Sequence, residues 1–458
     1  MGPTQTLASF AAEVSHQTLP APVKAKMVGL TLDYFRVASI GERLPWSTWA
    51  RHYTLQNAGT GTAPLLFSKQ QLDPASAAFL NSVYAGSIDA DDVHVGAMLH
   101  PGCLVFSAAL AIGASRSMTG AQVMAAVVAG YEVMIRIALG IQPSHFKRGF
   151  QSTATCGVFG AAVAAASLIF TGPDRATRIA QTIGLAASTC GGLTQFYHSE
   201  STVKRLHAAQ AASAGVRAAL MVEAGFSGPI DILEGQDGFA RAYADAVDFS
   251  LMTEGLGTLY HCTEVAIKPH ACSARVLSAV EAASDLCRQH NIDANSITAI
   301  TLGIPKVIQG RLTSNQPNDL QAAQMSAPFS VALAICKGGP KGFSLNIDDF
   351  ENNLEAPLVR HLTRMVDCVL DDEVEKTSST ESVSARVTLT LATGVRHATL
   401  VRSPMGSVSR PYTLEDHLAS AERQLAQRYP APKVTAFLDL AQRLSALGQI
   451  RDMATFLD

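Results

Sequence analysis

The run GVFGAAVAAASLIF, residues 157–170, limits the fold of this chain more than any other stretch of its sequence. Its residues are small and apolar at helical density, so a helix formed from them is apolar on every side. Such a helix has no face for water and is buried among other helices. Alanine and glycine also let neighbouring helices approach closely. We therefore expect a compact helical domain with this helix inside it.

Similar helical segments fill residues 1 to about 265. Val28, Leu32 and Phe35 have the i, i+4, i+7 spacing of one helical face. Thr119 and Gly120 suit the start of another helix. The segments predicted as helices in this part of the chain are PAPVKAKMVGLTLDYFRVASIG, PASAAFLNSVYAGSI, CLVFSAALAIGASRS, TGAQVMAAVVAGYEVMIRIALGI, DRATRIAQTIGLAAST and TVKRLHAAQAASAGVRAALMVEAGF.

The composition of the chain changes near Thr263. Strand character appears in EVAIKPH, NSITAITLGIP, SVSARVTLTLATG and RHATLVRSPMG, and in SARVTLTL the apolar residues alternate with period two. ARVLSAVEAASDLCRQH and PFSVALAICKGG are predicted helices between them, and the C-terminal tail is again amphipathic helix. The predicted fold is mainly α. A large all-helical domain comes from both chain ends, residues 1–265 and 405–458, and a smaller α+β domain, residues 266–404, is inserted into it.

The size and composition agree with two domains and narrow the class of partner. A chain of 458 residues exceeds the size at which one hydrophobic core usually stops growing. Hydrophobic residues make up 48% of the chain and charged residues 16%. This composition indicates a large buried surface, which we expect to consist of a helical core and an oligomer interface. The net charge of −3 gives no basic face, so no nucleic-acid partner is expected.

The cysteines and the hydropathy pattern bear on metal sites and location. None of the eight cysteines forms a C-x-x-C pair, and no metal-ligand spacing appears, so reduced buried thiols and no metal are expected. The first twenty residues lack the pattern of a signal peptide. No stretch approaches the roughly 18 consecutive apolar residues of a membrane span. We therefore expect a cytoplasmic protein with no membrane partner.

Three segments contain candidate chemistry. SIDADDVHVGAMLHPGC, residues 87–103, sets aspartates and histidines in an apolar neighbourhood. It is either a solvated loop with helix-capping aspartates or a carboxylate and imidazole set beside a pocket. His100 directly precedes an apolar helix, whose N-terminus would favour an anion.

The other two segments each pair a lysine with a histidine. Lys204 and His207 share one face at the start of a helix, either as a surface turn or as a site. The helix dipole disfavours a cation there unless it has an anionic partner. Lys268 and His270 lie on the same side of a predicted strand, either exposed or functional.

Together these residues suit an anionic small molecule. Lysines hold carboxylates, and a histidine or lysine can move a proton at the carbon α to a carboxylate. The chain contains no phosphate-binding loop, G-x-S-x-G or H-E-x-x-H motif. A small-molecule carboxylic acid is the expected substrate, and the residues alone leave the reaction open.

Five segments, in order, resemble the MmgE/PrpD family: DADDVHVGAMLHPGC, GFQSTATCGVFGAAVAAASL, KRLHAAQAASAGVRAALMVEAGFSGPIDILEGQDGF, KPHACSARVLSAVEAA and PFSVALAICKGG. The succession of KRLHAAQAASAG and GFSGPIDILEG is the most specific part of the likeness. The family includes 2-methylcitrate dehydratase, cis-aconitate decarboxylase and iminodisuccinate epimerase. The resemblance implies a homodimer with no metal or organic cofactor and a site between the two domains.

The resemblance also assigns residues. Asp89 matches the aspartate of the family's D-x-D-D segment, and His100 matches its His-Pro histidine. Lys204 matches the lysine before the Leu-His pair, and Lys268 the lysine of the domain junction. These four residues are the expected catalytic set, with His270 as a further proton-transfer candidate.

The chain departs from the family pattern at three positions. Gln151 stands where dehydratase and decarboxylase members usually carry histidine, and an amide cannot transfer a proton near neutral pH. Phe329 stands where tyrosine is common. Ser273 replaces a histidine of some decarboxylases, for which His270 is a substitute. These departures suggest a substrate other than methylcitrate or cis-aconitate, such as an alkylated acid from a biosynthetic pathway.

Two classes of function follow from the likeness. In the first, a lyase or isomerase, the lysines bind carboxylate or enolate charge, the histidines transfer protons and Asp89 orients one of them. The expected substrate-binding residues are Gln151, His207, Phe329 and Ser273. Dehydration of a citrate-like acid ranks first, decarboxylation of a cis-aconitate-like acid second, and epimerisation or double-bond isomerisation third. In the second class, the chain is a non-catalytic homologue that binds a metabolite.

Overall fold

A computed structural model of the chain describes residues 1–198, 201–338, 344–379 and 381–458. The chain divides into two compact units. The first consists of Met1–Phe196, Thr202–Val265 and Thr413–Asp458, and the second of Tyr197–Ser201 and Ala266–Tyr412. The predicted class, a mainly helical fold with a smaller α+β part, is confirmed.

The first unit is built of helices from both ends of the chain, with one short antiparallel ribbon of β1 (Ala63–Pro64) and β2 (Gln71–Leu72). Its helices are α1 (Pro3–Glu13), α2 (Ala21–Gly41), α3 (Pro45–Asn57), α4 (Pro74–Gly86), α5 (Gly102–Ser115), α6 (Gly120–Leu139), α7 (Ser144–Lys147), α8 (Ser152–Thr155), α9 (Gly157–Ile169), α10 (Arg175–Ala187), α11 (Lys204–Glu223), α12 (Phe239–Tyr243) and α13 (Ser250–Thr253), followed after the second unit by α20 (Leu414–Leu425), α21 (Ala431–Gln442) and α22 (Arg451–Ala454). Short 3₁₀ turns cover His261–Glu264 and Leu444–Ala446, and a third, Thr194–Tyr197, ends in the second unit.

The core of this unit depends on small residues at the helix crossings. Eleven of the thirteen residues of α9 are buried, and α9 packs against α5, α6 and α11. A Cβ atom added to Gly130 of α6 would lie 2.7 Å from the carbonyl oxygen of Gly160 of α9. A Cβ atom at Gly215 of α11 would lie 2.5 Å from the backbone nitrogen of Ala162. The buried helix predicted from residues 157–170 is therefore confirmed, together with the close approach of its neighbours.

Two helical runs of this unit are long and apolar enough to cross a membrane by composition alone, Gly120–Leu139 and Ser152–Ile169. Polar and small residues interrupt both runs, so neither was predicted from an unbroken apolar stretch in the sequence. In each run 89% of the apolar window is buried within the folded chain. That burial is typical of core helices, so the two runs are weak evidence for a membrane segment.

The second unit holds a four-stranded sheet in the order β4-β3-β5-β6. Its strands are β3 (Ile297–Ile304), β4 (Val366–Leu370), β5 (Ala385–Leu391) and β6 (Arg396–Val401). β3 pairs with β4 in parallel, and β5 pairs with β3 and β6 in antiparallel fashion. Its helices are α14 (Leu277–His290), α15 (Leu320–Gln324), α16 (Ala327–Lys337), α17 (Ile347–Asn352), α18 (Pro357–Met365) and α19 (Asp372–Thr377). 3₁₀ turns cover Ala274–Val276, Ala294–Ser296 and Lys306–Ile308.

The strand predictions are correct for β3, β5 and β6 and wrong for residues 264–270. A 3₁₀ turn ends at Glu264, and the following residues are irregular, with a backbone hydrogen bond from Ile267 to the carbonyl of Gly406. Pro269 has no amide hydrogen and cannot donate to a sheet. The edge strand β4 was not predicted, because most of its residues are not buried. Gly339, the last residue of one predicted helix, lies outside the described residues.

Candidate active site

The segment of residues 89–100, here called the acidic loop, connects α4 to α5. Its second half is a turn closed by two backbone hydrogen bonds between His94 and Leu99. Asp89 and Met98 have positive φ angles, 57° and 55°, in the left-handed region that few residues other than glycine adopt. The three aspartates of the loop are buried, with 3 to 5% of each exposed. The acidic loop is therefore a fixed structure and not a solvated connection.

His100, at the end of the acidic loop, has a defined tautomer. Its Nδ1 lies 2.8 Å from the backbone carbonyl oxygen of Asp92, and a carbonyl can only accept. The proton of the neutral ring is therefore on Nδ1, and Nε2 carries the lone pair. Asp91 Oδ2 lies 3.4 Å from the same Nδ1 and can stabilise a positive charge on the ring. This arrangement suits a general base.

The carboxylate beside His100 was not the one expected. The prediction assigned Asp89 to orient a histidine, whereas the structure places Asp91 at His100 and Asp89 at a lysine. Residues in a loop have no periodic facing, so spacing alone could not separate the aspartates. Thr153 was also missed: its Oγ1 accepts a hydrogen bond of 3.0 Å from the backbone N–H of His100.

Lys204, the first residue of α11, forms an ion pair with Asp89, with 2.7 Å between Nζ and Oδ2. Both side chains are largely buried, with 13% and 3% exposed. The anionic partner that the helix dipole requires of a lysine at this position is therefore Asp89. Because the pair is neutral overall, it attracts a substrate carboxylate less than a lone ammonium would, but Lys204 retains the protons of an acid.

Asp92 occupies the helix N-terminus where the sequence suggested a substrate anion. Its Oδ1 accepts the backbone N–H of Gly102 at 2.8 Å, and its Oδ2 accepts the hydroxyl of Tyr131 at 2.7 Å. The first amide of α5 is thus already used by the protein. Burial raises the pKa of Asp92 from 3.8 to about 8, with the nearby carboxylates of Asp33 and Asp91 acting in the same direction and the two hydrogen bonds opposing it.

The raised pKa of Asp92 predicts a pH-dependent stability. The folded protein keeps this proton until about pH 8, while the unfolded chain loses it near 3.8, so stability falls as pH rises between these values.

Asp92→Asn keeps the acceptor for Gly102 and removes the ionisation. At pH 9 we expect the free energy of unfolding of the variant to exceed that of the unmodified protein by at least about 1 kcal/mol, since one pKa unit is worth about 1.4 kcal/mol, and the variant should unfold at a higher temperature. Calorimetry at both ends of the range checks this. At pH 4 the two proteins should differ little, and an equal gain at both pH values would contradict the assignment.

Gln151 lies at the N-cap of α8, where its side-chain Oε1 accepts the backbone N–H of Ala154 at 2.8 Å. Its own backbone N–H donates to Gly192 at 3.1 Å. The predicted hydrogen bond from Gln151 to substrate remains a prediction: the oxygen caps a helix, and Nε2 is the part that can donate to a ligand. Glutamine is not a common N-cap residue, so no sequence pattern predicts this cap.

His207 lies one turn after Lys204 on α11, as predicted. It is 5% exposed and contacts the Phe196 ring edge-on at 5.8 Å. Within the described part of the chain, Nδ1 of His207 has no hydrogen-bond partner. Burial, with a smaller contribution from Lys204, lowers the pKa of His207 to about 4, so the ring is neutral near pH 7. It is therefore a polar group that can serve a bound molecule.

Lys268 and His270 belong to the second unit and are buried, with 0% and 5% exposed. Nδ1 of His270 accepts the backbone N–H of Leu345 at 3.0 Å. The proton of its neutral ring is therefore on Nε2, the opposite of His100. Burial lowers the pKa of His270 to about 4. Neutral His270 is thus a hydrogen-bond donor at Nε2 and not a base there, which corrects part of its predicted role.

The last two predicted residues have structural roles in the second unit. The ring of Phe329 in α16 is fully buried and stacks on Phe350 with 6.0 Å between the centroids. It therefore presents no surface to a ligand in this structure. Ser273 donates its backbone N–H to Gln324 at 3.0 Å and begins the turn before α14. Its predicted contact with substrate remains a prediction.

His94, His261 and Glu264 form a cluster that meets the spacing of a metal site, with ligand atoms within 4.8 Å of one another. The hydrogen bonds argue against that reading. Nδ1 of His94 accepts the backbone N–H of Ala97 at 3.1 Å, so the ring proton is on Nε2, the atom that would bind the ion. A histidine that binds a metal almost always donates through its other nitrogen. The cluster is therefore interpreted as a hydrogen-bonded network.

Comparison with known proteins gives matches along nearly the whole chain. The model of the MmgE/PrpD N-terminal domain matches residues 5–252, and that of the MmgE/PrpD C-terminal domain matches residues 270–446. A cis-aconitate decarboxylase of Aspergillus terreus (strain NIH 2624 / FGSC A1156) is 24% identical, covering 100% of this chain and 96% of its own. A cis-aconitate decarboxylase-like protein, oryM, of Aspergillus oryzae (strain ATCC 42149 / RIB 40) is also 24% identical, covering 92% and 90%.

Proposed function

Because this chain belongs to the MmgE/PrpD family, whose domains match 5–252 and 270–446, we propose that it is a lyase acting on a small carboxylic acid by proton transfer at the carbon α to a carboxylate. The family and its characterised relatives are enzymes. The reaction proposed first is dehydration of a citrate-like acid. It uses only groups of the protein, with no step through a metal or organic cofactor.

The observation that carries the proposal is the tautomer of His100. With Nδ1–H donated to the carbonyl of Asp92, Nε2 can accept a proton from a substrate carbon. The electron pair of the broken C–H bond moves into the adjacent carboxylate, which becomes an enediolate. Asp91, 3.4 Å from Nδ1, stabilises the imidazolium that forms.

The second half of a dehydration needs an acid. When the enediolate re-forms the carboxylate, its electron pair makes the carbon–carbon double bond and the β-hydroxyl group leaves with its bonding pair. A proton from the ammonium group of Lys204 turns that hydroxide into water, which leaves Lys204 neutral beside the Asp89 carboxylate. The proton taken from carbon by His100 balances the one that Lys204 gives up. Lys268 and His270 of the second unit remain predicted site residues, and no step is assigned to them.

Decarboxylation of a cis-aconitate-like acid is the second candidate. The names of the two Aspergillus relatives favour it, at 24% identity. In this reaction a carbon–carbon bond breaks to release CO₂, and the electron pair left on carbon takes a proton from a protein acid. Gln151 caps a helix with its oxygen and has only amide protons to offer, so this position supplies no proton. A substrate altered on that side, such as an alkylated acid, therefore remains part of the proposal.

The test is a panel of acids in deuterated water followed by NMR. Methylcitrate, citrate, cis-aconitate and alkylcitrates are incubated with the protein, and turnover and deuterium incorporation are recorded. Loss of water identifies a dehydratase, and loss of CO₂ a decarboxylase. Exchange at the α carbon without net conversion supports the proton-transfer step. Stabilisation by an acid with neither exchange nor conversion would instead favour a non-catalytic binding protein and overturn the proposal.

We also propose that the protein is a cytoplasmic homodimer. Each of the eight cysteines is a thiol and not half of a disulfide, which suits a reducing compartment. A groove of about 940 Å³ runs between α3 and α11 in the first unit. On its rim Trp49, Tyr53 and Met221 are 60%, 62% and 46% exposed. Exposed apolar patches of this kind mark interaction surfaces.

The chemistry of the groove supports a second copy as its occupant. Exposed aromatic rings lie on α3, and the exposed guanidinium of Arg217 lies on α11. A two-fold axis would place α3 of one copy against α11 of the other, so that aromatic and guanidinium groups meet twice. The same contact already occurs within the chain, where Arg205 lies over the Trp46 ring at 4.9 Å.

Trp49→Arg is expected to convert the dimer to a monomer. The two-fold axis repeats this residue on both copies, so the substitution replaces an apolar contact by a charge twice in the interface. Sedimentation velocity at micromolar concentration measures the change. Leu370→Arg, at a residue of the second unit that is 49% exposed, is the matched control and should leave the mass unchanged. A monomeric unmodified protein, or a dimer unaffected by Trp49→Arg, would contradict this surface.

A further inference from the structure

Glu264 holds two histidines with one oxygen atom. Its Oε2 accepts a hydrogen bond from Nδ1 of His261 at 2.8 Å and lies 3.3 Å from Nε2 of His94. Since Nδ1 of His94 accepts from Ala97, Nε2 of His94 carries the proton and is the donor to Glu264. These two hydrogen bonds lower the pKa of Glu264 to about 2, so it is ionised over the whole working range of pH.

On one side of this network lies the end of the acidic loop. His94 pairs through its backbone with Leu99, with 2.9 Å from the His94 nitrogen to the Leu99 oxygen. Its ring accepts the N–H of Ala97 from inside the same turn. Leu99 directly precedes His100. The position of the His94 ring therefore fixes both sides of the turn of residues 94–99, which leads directly into His100.

On the other side, the segment that carries Glu264 is anchored to two helices of the first unit. The backbone N–H of Cys262 donates to Oε1 of Glu132 in α6 at 2.7 Å. Lys26 of α2 donates through Nζ to the backbone carbonyl of Val265. Glu264 thus joins a segment fixed to the helical core to the turn that ends at His100.

We propose that Glu264 is a positioning residue for His100: by accepting from Nε2–H of His94 it holds the turn of residues 94–99, and with it the hydrogen bond from His100 to the Asp92 carbonyl. The inference rests on the proposed role of His100 as the base. The role of Glu264 is that of a hydrogen-bond acceptor, which touches neither substrate nor the reacting atoms.

Variants of Glu264 test the proposal through kinetics. Glu264→Ala is expected to lower kcat about 10- to 100-fold, the cost of a small misplacement of a catalytic group, with a much smaller change in KM. Glu264→Gln keeps an acceptor oxygen and is expected to restore most of kcat. Glu264→Met, similar in length and without an acceptor, should behave like alanine and serves if the alanine variant does not fold. Glu223→Ala, which removes the exposed ion pair with Arg116, is the matched control and should leave kcat unchanged.

A second readout does not depend on activity. The ¹⁵N chemical shifts of His100 report its tautomer. The Nδ1–H form should dominate in the unmodified protein and in Glu264→Gln, and the Nε2–H form should appear in Glu264→Ala. If no acid in the panel reacts, the proposed function fails, and these shifts still decide the role of Glu264. An unchanged tautomer and kcat in Glu264→Ala would overturn the inference. So would a Glu264→Gln variant as impaired as alanine, or stoichiometric Zn²⁺ binding that the activity requires.

Discussion

Replacing His100 by alanine is expected to lower kcat/KM, and the rate of deuterium exchange at the α carbon, by about 10²- to 10⁴-fold, the usual contribution of a general base. The reason is geometric. The structure fixes the proton of the neutral ring on Nδ1 through the carbonyl of Asp92, so Nε2 is the basic atom. No other histidine in the acidic loop has this tautomer, since His94 carries its proton on Nε2.

Two matched variants separate the loss of a base from a loss of structure. His52→Ala, at an exposed position of α3, removes an imidazole with no role in the proposal and should leave exchange unchanged. Asp91→Asn keeps the shape beside Nδ1 but removes the charge that stabilises the imidazolium, so an intermediate loss is expected. The thermal midpoint of each variant is recorded with its rate. A folded His100→Ala variant that exchanges its substrate at the unmodified rate would remove His100 from the mechanism.

The sequence predicted the helical part of this fold well because its signal is local. The all-round apolar pattern of residues 157–170 requires burial whatever the topology, and the capping box at Thr119 marks the start of α6. The strand predicted over residues 264–270 failed for the opposite reason. That segment is held by distant partners, such as Lys26, whose Nζ donates to the backbone carbonyl of Val265, which no pattern within seven residues can reveal.

For the candidate site, the sequence identified the segments that contribute residues but did not show which aspartate pairs with the lysine and which with the histidine. Asp89 has a left-handed backbone, which turns its side chain to Lys204 and leaves Asp91 beside His100. A loop conformation of this kind has no sequence period. The role of Gln151 as a helix cap was missed because glutamine is rare at that position. The kinds of side chain in the site were therefore predictable, while the direction in which each side chain points depended on the backbone conformation.

The largest loss of stability is expected from Glu132→Ala. Glu132 and Arg136 form an ion pair one turn apart in α6 with both side chains 0% exposed, and Nε of Arg136 lies 3.2 Å from Oε2 of Glu132. Removal of the carboxylate leaves a buried guanidinium without its counter-charge, which costs about 3–5 kcal/mol. It also leaves the N–H of Cys262 without its acceptor. In urea unfolding, the slope of the unfolding free energy against urea concentration should stay the same. The loss should then appear as a lower urea concentration at the midpoint.

Asp439→Ala is the matched control for that prediction. Asp439 and Arg443 have the same i, i+4 spacing in and after α21, but their side chains are 57% and 64% exposed. An exposed pair of this spacing is worth only about 0.3–0.5 kcal/mol, so its removal should barely move the midpoint. The contrast tests burial, together with the hydrogen bond from Cys262, as the cause, because both are carboxylate–arginine pairs with the same spacing. Equal losses from Glu132→Ala and Asp439→Ala would contradict it. A large loss confined to Glu132→Ala would also imply that the segment fixed by Cys262, which carries Glu264, depends on this buried pair.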